Sequence, residues 1–127
     1  MITAQTLACT EHNEPLTELC QPVPGAIQIA RDRWLLAGPC HDLPAGAMPR
    51  DQSSGYRVFS LAGPEVEEFL SGCCRLDWQT LPDGVARRTL IGQVSGIVHR
   101  RSQTAVDLYL PFTLADSVLD HLGLTAQ

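Results

Sequence analysis

Two adjacent cysteines, Cys73 and Cys74, are the side chains of this sequence that first suggest chemistry. A structural zinc site uses paired Cys or His ligands at short spacings such as C-x-x-C, and no such pair occurs in the sequence. Adjacent side chains of an extended chain point to opposite faces, so these two thiols are not placed to hold one metal ion together. We therefore interpret at least one of them as a small apolar side chain of the fold.

Acid–base or nucleophilic catalysis would need a histidine oriented by a carboxylate. His99 is the only histidine in a predicted strand, and the sequence does not show which carboxylate would face it. The carboxylates have local explanations: Glu67 and Glu68 suit the start of a helix, Asp77 suits the cap of a turn and Asp116 suits a helix cap. The sequence thus predicts no catalytic, cofactor-binding or metal-binding residue in this chain.

Arginine supplies all nine basic side chains, and the absence of lysine excludes a Walker A phosphate loop and a Schiff-base lysine. Four arginines and no acid lie in residues 84–106. If the strands on either side of Gly92 pair, these arginines gather at one end of a sheet as an interface or anion patch; the alternative is a scattered, solvated set. Tryptophans are often interface anchors, although burial in the core is the alternative for both of them. The predicted interface residues are Trp34, Trp78, Arg87, Arg88, His99 and Arg100.

Composition limits the class of protein. The chain has 127 residues, 44% of them hydrophobic, which fits one domain. Only 18% are charged, which indicates that a partner covers part of the surface. A net charge of −5 argues against binding to nucleic acid, and no apolar run is long enough for a membrane span. Five cysteines and the lack of a secretory signal predict a cytoplasmic protein without a disulfide framework.

The elements that would position these side chains follow from the apolar patterns. We expect an irregular N-terminal arm over residues 1–24, one domain over 25–123 and a short tail over 124–127, with a loop over 39–55. Pro64 opens a helix that ends near Gly72, and a "TLAD" capping box opens a second helix that ends at Gly123. Each helix follows three strands, which predicts an α+β fold with helices on one face of an antiparallel sheet. The predicted strands are "AIQIA", "WLLAG", "YRVFSLAG", "VARRTLI", "VSGIVHR" and "AVDLYLP".

Four phrases carry a more specific signal when they are taken in order over about residues 27–122. They are "RDRWLLAGP", "LAGPEVEEFLSGCCRLDW", "LPDGVARRTLIGQVSGIVHR" and "DLYLPFTLADSVLDHL". Together they resemble the gamma subunit family of heterotetrameric sarcosine oxidase. The residues that match its pattern include Trp34-Leu35-Leu36, Gly63-Pro64, Cys74 with Leu76-Asp77, Ala86-Arg87, Thr89-Leu90, Gly92, His99-Arg100, Leu110-Pro111, Phe112 and Ala115.

The resemblance implies a fold related to the folate-binding domain of the glycine cleavage T-protein, shortened at its N-terminus. It also implies a non-catalytic subunit of a bacterial oxidoreductase that demethylates sarcosine or a related N-methyl amino acid. The expected partners are larger flavoprotein subunits of the alpha and beta types and a small zinc-binding subunit of the delta type. FAD, FMN, NAD, tetrahydrofolate and zinc are expected in those partners and not in this chain.

The alternative function is a stand-alone folate-binding or one-carbon module of the T-protein type. It would use the arginines for the anionic tail of folate. In the stretch "GIVHRR", however, His99 or Arg100 replaces an acidic residue of the T-protein. Proton transfer at the folate amine would need such a base, so the resemblance favours the subunit over the module.

Overall fold

The computed structural model describes residues 7–40 and 42–126, which form nine strands, two α-helices and a short 3-10 helix at Trp78–Thr80. The strands of the first half are β1 (Ala8–His12), β2 (Leu16–Leu19), β3 (Ile27–Ala30), β4 (Arg33–Ala37), β5 (Arg50–Asp51) and β6 (Tyr56–Ala62). The second half holds α1 (Val66–Cys73), β7 (Ala86–Ile91), β8 (Val94–Ser102), β9 (Ala105–Pro111) and α2 (Ala115–Leu122).

The strands form two antiparallel sheets. One has five strands in the order β1-β6-β9-β8-β7, and the other has four in the order β3-β4-β2-β5. The predicted α+β class is therefore confirmed. The predicted order of three strands and a helix is confirmed for the second half, where β7, β8 and β9 precede α2, but six strands and not three precede α1. The predicted pairing about Gly92 is also present, since Arg87 pairs with Val98 and Ala86 with His99.

The five-stranded sheet is the middle layer of the molecule. Side chains alternate across a strand, so β6 sends Phe59 and Leu61 to one face and Val58 to the other. The first face packs against α1 and α2 in the larger core cluster. The second packs against the four-stranded sheet, where Val58 meets Leu35. Both helices thus lie on one face of the sheet, as predicted, and the second sheet covers the opposite face.

The prediction of an irregular arm over residues 1–24 is wrong for the described part of that segment. Cys9 in β1 pairs with Leu61 in β6, and β2 lies between β4 and β5. Leu7, Cys9, Leu16 and Leu19 are all buried. These apolar side chains give the segment enough buried surface to order on its own domain. The expected loop over 39–55 likewise contains the two-residue strand β5.

The helix boundaries differ from the predicted ones. The helix α1 begins at Val66 and runs through Gly72 to Cys73. The predicted capping box is wrong, because Leu114 caps α2 and no side chain bonds to its first turn. The carboxylate of Asp116 instead accepts a hydrogen bond from Arg57 Nη1 at 2.8 Å. Neither helix within residues 7–40 and 42–126 is long enough to cross a bilayer.

Two other boundary predictions are confirmed. Gly123 ends α2 with φ +75°, a left-handed conformation that glycine adopts without steric cost. The Asp77 side chain accepts a hydrogen bond of 3.1 Å from the backbone N–H of Gln79 and caps the 3-10 helix. This turn leads the chain from α1 toward β7.

The Gly96→Ala substitution is expected to lower the free energy of unfolding by about 1–3 kcal/mol, because β8 crosses the core with no room for a methyl group. A Cβ at Gly96 would lie 2.8 Å from Ile91 Cδ1 and 2.9 Å from the Tyr109 carbonyl oxygen. Gly72→Ala is the control, since a Cβ there meets nothing within 4 Å of the described structure, and helical alanine adds about 0.5–1 kcal/mol. Urea denaturation measures both variants, and equal stability of the two would contradict the prediction.

Candidate functional site

The structure separates the six predicted interface residues into three places. One is a corner beside the 3-10 helix, the second is a cleft between the two sheets, and the third is a groove between the edge strands β3 and β7. The corner holds Trp78 and Arg100, the cleft holds His99, and the groove holds Trp34, Arg87 and Arg88.

The corner is built around Arg100. Its Nη1 donates hydrogen bonds of 2.9 Å to the carbonyl oxygens of Trp78 and Leu81, and its Nε lies 2.9 Å from the Asp83 carboxylate. The guanidinium also stacks over the Trp78 ring at 4.6 Å. Trp78 is only 5% exposed. These contacts give Trp78 and Arg100 a role in holding the segment before β7 against the core.

The cleft between the sheets contains a row of polar side chains that the sequence did not indicate. His12 Nε2 lies 2.5 Å from Ser60 Oγ, which lies 2.5 Å from Asp107 Oδ1. On the other side of Asp107, His99 Nδ1 is 3.5 Å from Oδ2, and Arg101 Nη1 is 3.7 Å from Oδ1. These residues lie on β1, β6, β9 and β8, four neighbouring strands of one sheet.

Asp107 is ionised in this cluster. Burial alone would raise its pKa, but contacts with His99 and Ser60 and the charge of Arg101 outweigh that effect and hold the pKa below its usual value. An ionised carboxylate only accepts hydrogen bonds, so the Ser60 hydroxyl must donate to it. His12 Nε2 must then donate to Ser60 Oγ. Ser60 is therefore not an activated nucleophile, because its proton is held by Asp107 and not by a histidine base.

The cleft has a volume of about 220 Å³ and also contains Glu14 and Tyr109. Burial and the nearby Asp107 charge raise the pKa of Tyr109 to about 12, so its hydroxyl stays protonated. His99 Nδ1 is buried and has no hydrogen-bond partner among the described residues. It lies 3.5 Å from Asp107 Oδ2. A charged residue inside the otherwise apolar strand "AVDLYLP" is the one sequence signal that could have indicated this cluster.

The third place is the groove between β3 and β7, which we call the edge groove. It has a volume of about 530 Å³ and is lined by residues 26–31, Trp34 and residues 84–88. Trp34 is half-buried, while Arg87 and Arg88 are exposed, and Arg31 joins them in the lining. The predicted gathering of four arginines is thus wrong in part: Arg87 and Arg88 share the groove, whereas Arg100 and Arg101 lie beside Asp83 and Asp107 elsewhere.

The cysteine pair belongs to the fold. Cys74 is 9% exposed, lies in the larger core cluster and forms an isolated bridge with Ile91. Its Sγ is 3.7 Å from Cys73 Sγ. The contact with Cys73 and burial together raise the pKa of Cys74 far above its usual value. The interpretation of this pair as a packed corner, with at least one thiol in an apolar role, is confirmed for Cys74.

Alkylation under native conditions is expected to label Cys20 and to leave Cys74 unmodified. Cys20 is exposed, whereas Cys74 is buried and stays in the unreactive thiol form. Mass spectrometry after a short iodoacetamide treatment measures this, with urea-unfolded protein as the control in which both residues react. Equal labelling of the two in folded protein would contradict the assignment.

Metal-ligating side chains do not cluster in the part of the chain that the structure describes: no three His, Cys, Asp or Glu groups lie close enough to hold an ion.

Two further arginines are engaged by this chain itself. Arg57 pairs with the half-buried Glu11 carboxylate, and Arg101 pairs with the buried Asp107 carboxylate. The corner and the Arg57 contacts thus serve the fold, and in the inter-sheet cleft Asp107 is engaged by side chains of this chain. The edge groove remains as the candidate interaction surface.

Comparison with solved structures identifies a relative of this architecture. The chain shares its fold with a chain of the heterotetrameric sarcosine oxidase from Corynebacterium sp. U-96, whose structure was determined in complex with pyrrole 2-carboxylate. The TM-score is 0.72 at 14% sequence identity, and the match covers 100% of this chain and 90% of that one. No known family model matches the sequence, and no curated protein matches it. The predicted resemblance to this oxidase is confirmed at the level of the fold.

Proposed function

We propose that this chain is the non-catalytic, gamma-type subunit of a heteromeric flavin-dependent oxidase or dehydrogenase. The substrate would be sarcosine or a related N-methyl amino acid, which is demethylated oxidatively. The observation that carries the proposal is the fold shared over the full chain with a chain of heterotetrameric sarcosine oxidase. Flavins, NAD, tetrahydrofolate and zinc would be held by the partner subunits.

The polar chemistry of the chain supports a non-catalytic role. The side chains that come closest to a catalytic arrangement are His12, Ser60 and Asp107, and there the serine proton is directed to the carboxylate. Arg100 and Arg57 are engaged by carbonyl and carboxylate groups of this chain. Contacts of this kind position strands, and they hold the Ser60 proton away from a histidine base.

The surface supports docking on a larger neighbour. Arginines line the edge groove around a half-buried tryptophan. Large apolar side chains are exposed on β7 and just before α2. Leu90 on β7 is 47% exposed, and Phe112 and Leu114 before α2 are 46% and 45% exposed. Protein interfaces combine such apolar contacts with arginine and aromatic anchors.

Co-expression with candidate flavoprotein subunits of the same organism tests the proposal. We expect the chain to co-elute with them in size-exclusion chromatography at a fixed ratio, and the complex to oxidise sarcosine or another N-methyl amino acid. The purified chain alone is the control and should show no turnover. Turnover by the chain alone, or a monodisperse monomer that never co-elutes with the flavoproteins, would contradict the proposal.

The alternative one-carbon module is less well supported. The inter-sheet cleft, where Arg101 and His99 lie, has only about 220 Å³, below the roughly 300–1,000 Å³ of drug-sized ligand sites. The edge groove is larger, about 530 Å³, but no carboxylate or histidine of the described residues lines it to act as a base at the folate amine. Calorimetry with tetrahydrofolate separates the two functions. Micromolar binding to the isolated chain would favour the module, whereas no heat at millimolar ligand would discard it.

A further inference from the structure

We propose that the edge groove binds an extended, acidic segment of a partner subunit. This inference rests on the proposed function, because it specifies the chemistry of the partner that the subunit meets. The charge of the groove, the arrangement of its lining residues and the aromatic side chain within it all favour such an occupant.

The charge of the groove is positive although the chain as a whole carries −5. Arg31, Arg87 and Arg88 line it, and no acidic side chain of the described residues does so. Within residues 7–40 and 42–126 these three arginines have no carboxylate within ion-pair distance, unlike Arg57 and Arg100. Arg88 makes only a long hydrogen bond of 3.4 Å to the Tyr56 hydroxyl. A carboxylate-bearing partner would supply the missing counter-charges, and guanidinium forks bind carboxylates with two parallel hydrogen bonds.

The lining of the groove favours an extended occupant. Consecutive residues line it on both sides, 26–31 around β3 and 84–88 around the start of β7. Since side chains alternate between the faces of a strand, a continuous lining means that the backbone edges of the strands face the groove. A ligand that follows two strand edges must itself be elongated.

The register of β7 adds main-chain partners. Arg100 N–H donates to the Val85 carbonyl oxygen at 3.1 Å, so this carbonyl faces β8, while Val85 N–H bonds to the Pro82 carbonyl oxygen. In an antiparallel ladder the next residue and every second one after it direct their N–H and C=O groups away from the neighbouring strand. Ala86 and Arg88 therefore present these groups at the outer edge of the sheet, and no backbone bond joins β7 to β3 in the described ranges. An extended peptide can bond to these groups while its carboxylates meet the arginines.

Trp34 gives the groove an apolar contact. It is half-buried and lies beside Ile29, so one part of its ring is available to a ligand. The partner segment should therefore carry apolar residues between its acids. A peptide of alternating glutamate and valine has this pattern and is a suitable probe.

Titration of the full chain with a fluorescent peptide of alternating Glu and Val tests the inference. We expect binding that weakens as salt is added, because the contacts are charged and exposed. The Arg87→Glu, Arg88→Glu double variant should weaken it roughly tenfold or more. The control is the Arg50→Glu, Arg75→Glu double variant, which introduces the same change of net charge at two exposed arginines outside the groove and should bind as the wild type does.

Four further outcomes decide the inference. A Lys–Val peptide of the same length should not bind, and slowed hydrogen exchange at Ala86 and Arg88 with the acidic peptide would support an extended pose. No binding of the Glu–Val peptide would overturn the inference. Equal binding of an oligothymidylate probe would overturn it as well, because the groove would then be a general anion patch.

The same variants separate this inference from the proposed function. If wild-type chain co-elutes with the flavoprotein subunits and the double variant does so equally well, the groove is not the docking site, but the subunit role stands. If the wild type never co-elutes while the peptide still binds, the subunit role fails and the groove retains its acidic ligand.

Discussion

The Asp107→Ala substitution is expected to lower the free energy of unfolding by about 3 kcal/mol and the melting temperature by roughly 10 °C. Asp107 is 8% exposed and is the acceptor that joins Ser60 to the two basic residues of the cleft. Its removal leaves the Ser60 hydroxyl and His99 Nδ1 without the carboxylate that both contact. Arg101 is half exposed and can regain water, so the loss comes mainly from the other two groups.

The pH dependence of this effect follows from the direction of the pKa shift. Asp107 has a folded pKa below its unfolded value of about 3.9. Its contribution to stability is therefore complete above the unfolded pKa and is lost as the pH falls through the folded pKa. The stability difference between wild type and Asp107→Asn should be constant near neutral pH and should shrink below about pH 4.

Urea denaturation at several pH values measures both effects. Asp120→Ala is the control, since it removes an exposed carboxylate on α2 and should change the free energy of unfolding by less than about 0.5 kcal/mol. If Asp107→Ala were as stable as this control, the cluster would not stabilise the five-stranded sheet.

The sequence predicted the elements better than it predicted their contacts. Local signals were sufficient for six of the seven strands of residues 26–111 and for the end of α2, because alternation and a glycine cap act over a few residues. The strand β1 was missed, since Leu7 and Cys9 alternate in a segment otherwise rich in polar residues. It is stabilised by pairing with β6, about fifty residues away in the chain.

The candidate surfaces depended even more on long-range pairing. The Arg87 and Arg88 pair was recognised from the sequence, and so was its approach to residue 98. The sequence did not show that this pair lies apart from Arg100, because the separation depends on which carboxylates and carbonyls lie near each guanidinium. The inter-sheet cluster was missed for the same reason: Ser60 and Asp107 meet only because β6 and β9 are neighbours.

The Arg100→Ala substitution is expected to cost about 3 kcal/mol of stability and to leave partner binding intact in the fraction that folds. The guanidinium makes two charged hydrogen bonds to carbonyl oxygens and stacks on Trp78, contacts that each contribute on the order of 1 kcal/mol. The ion pair with the exposed Asp83 adds little. Arg100→Lys should recover only part of the loss, because an ammonium group cannot reproduce the planar fork and the stacking together.

This variant distinguishes a structural role from the interface role that the sequence suggested for Arg100. Urea denaturation followed by tryptophan fluorescence measures the stability, and co-elution with the flavoprotein subunits measures the docking. Arg75→Ala, at an exposed position, should leave both unchanged. A stable Arg100→Ala protein that no longer docks would return Arg100 to the interface, whereas an unstable one that docks when folded confirms that the corner stabilises the subunit. The edge groove would then remain the candidate docking surface, because within residues 7–40 and 42–126 no carboxylate pairs with its arginines.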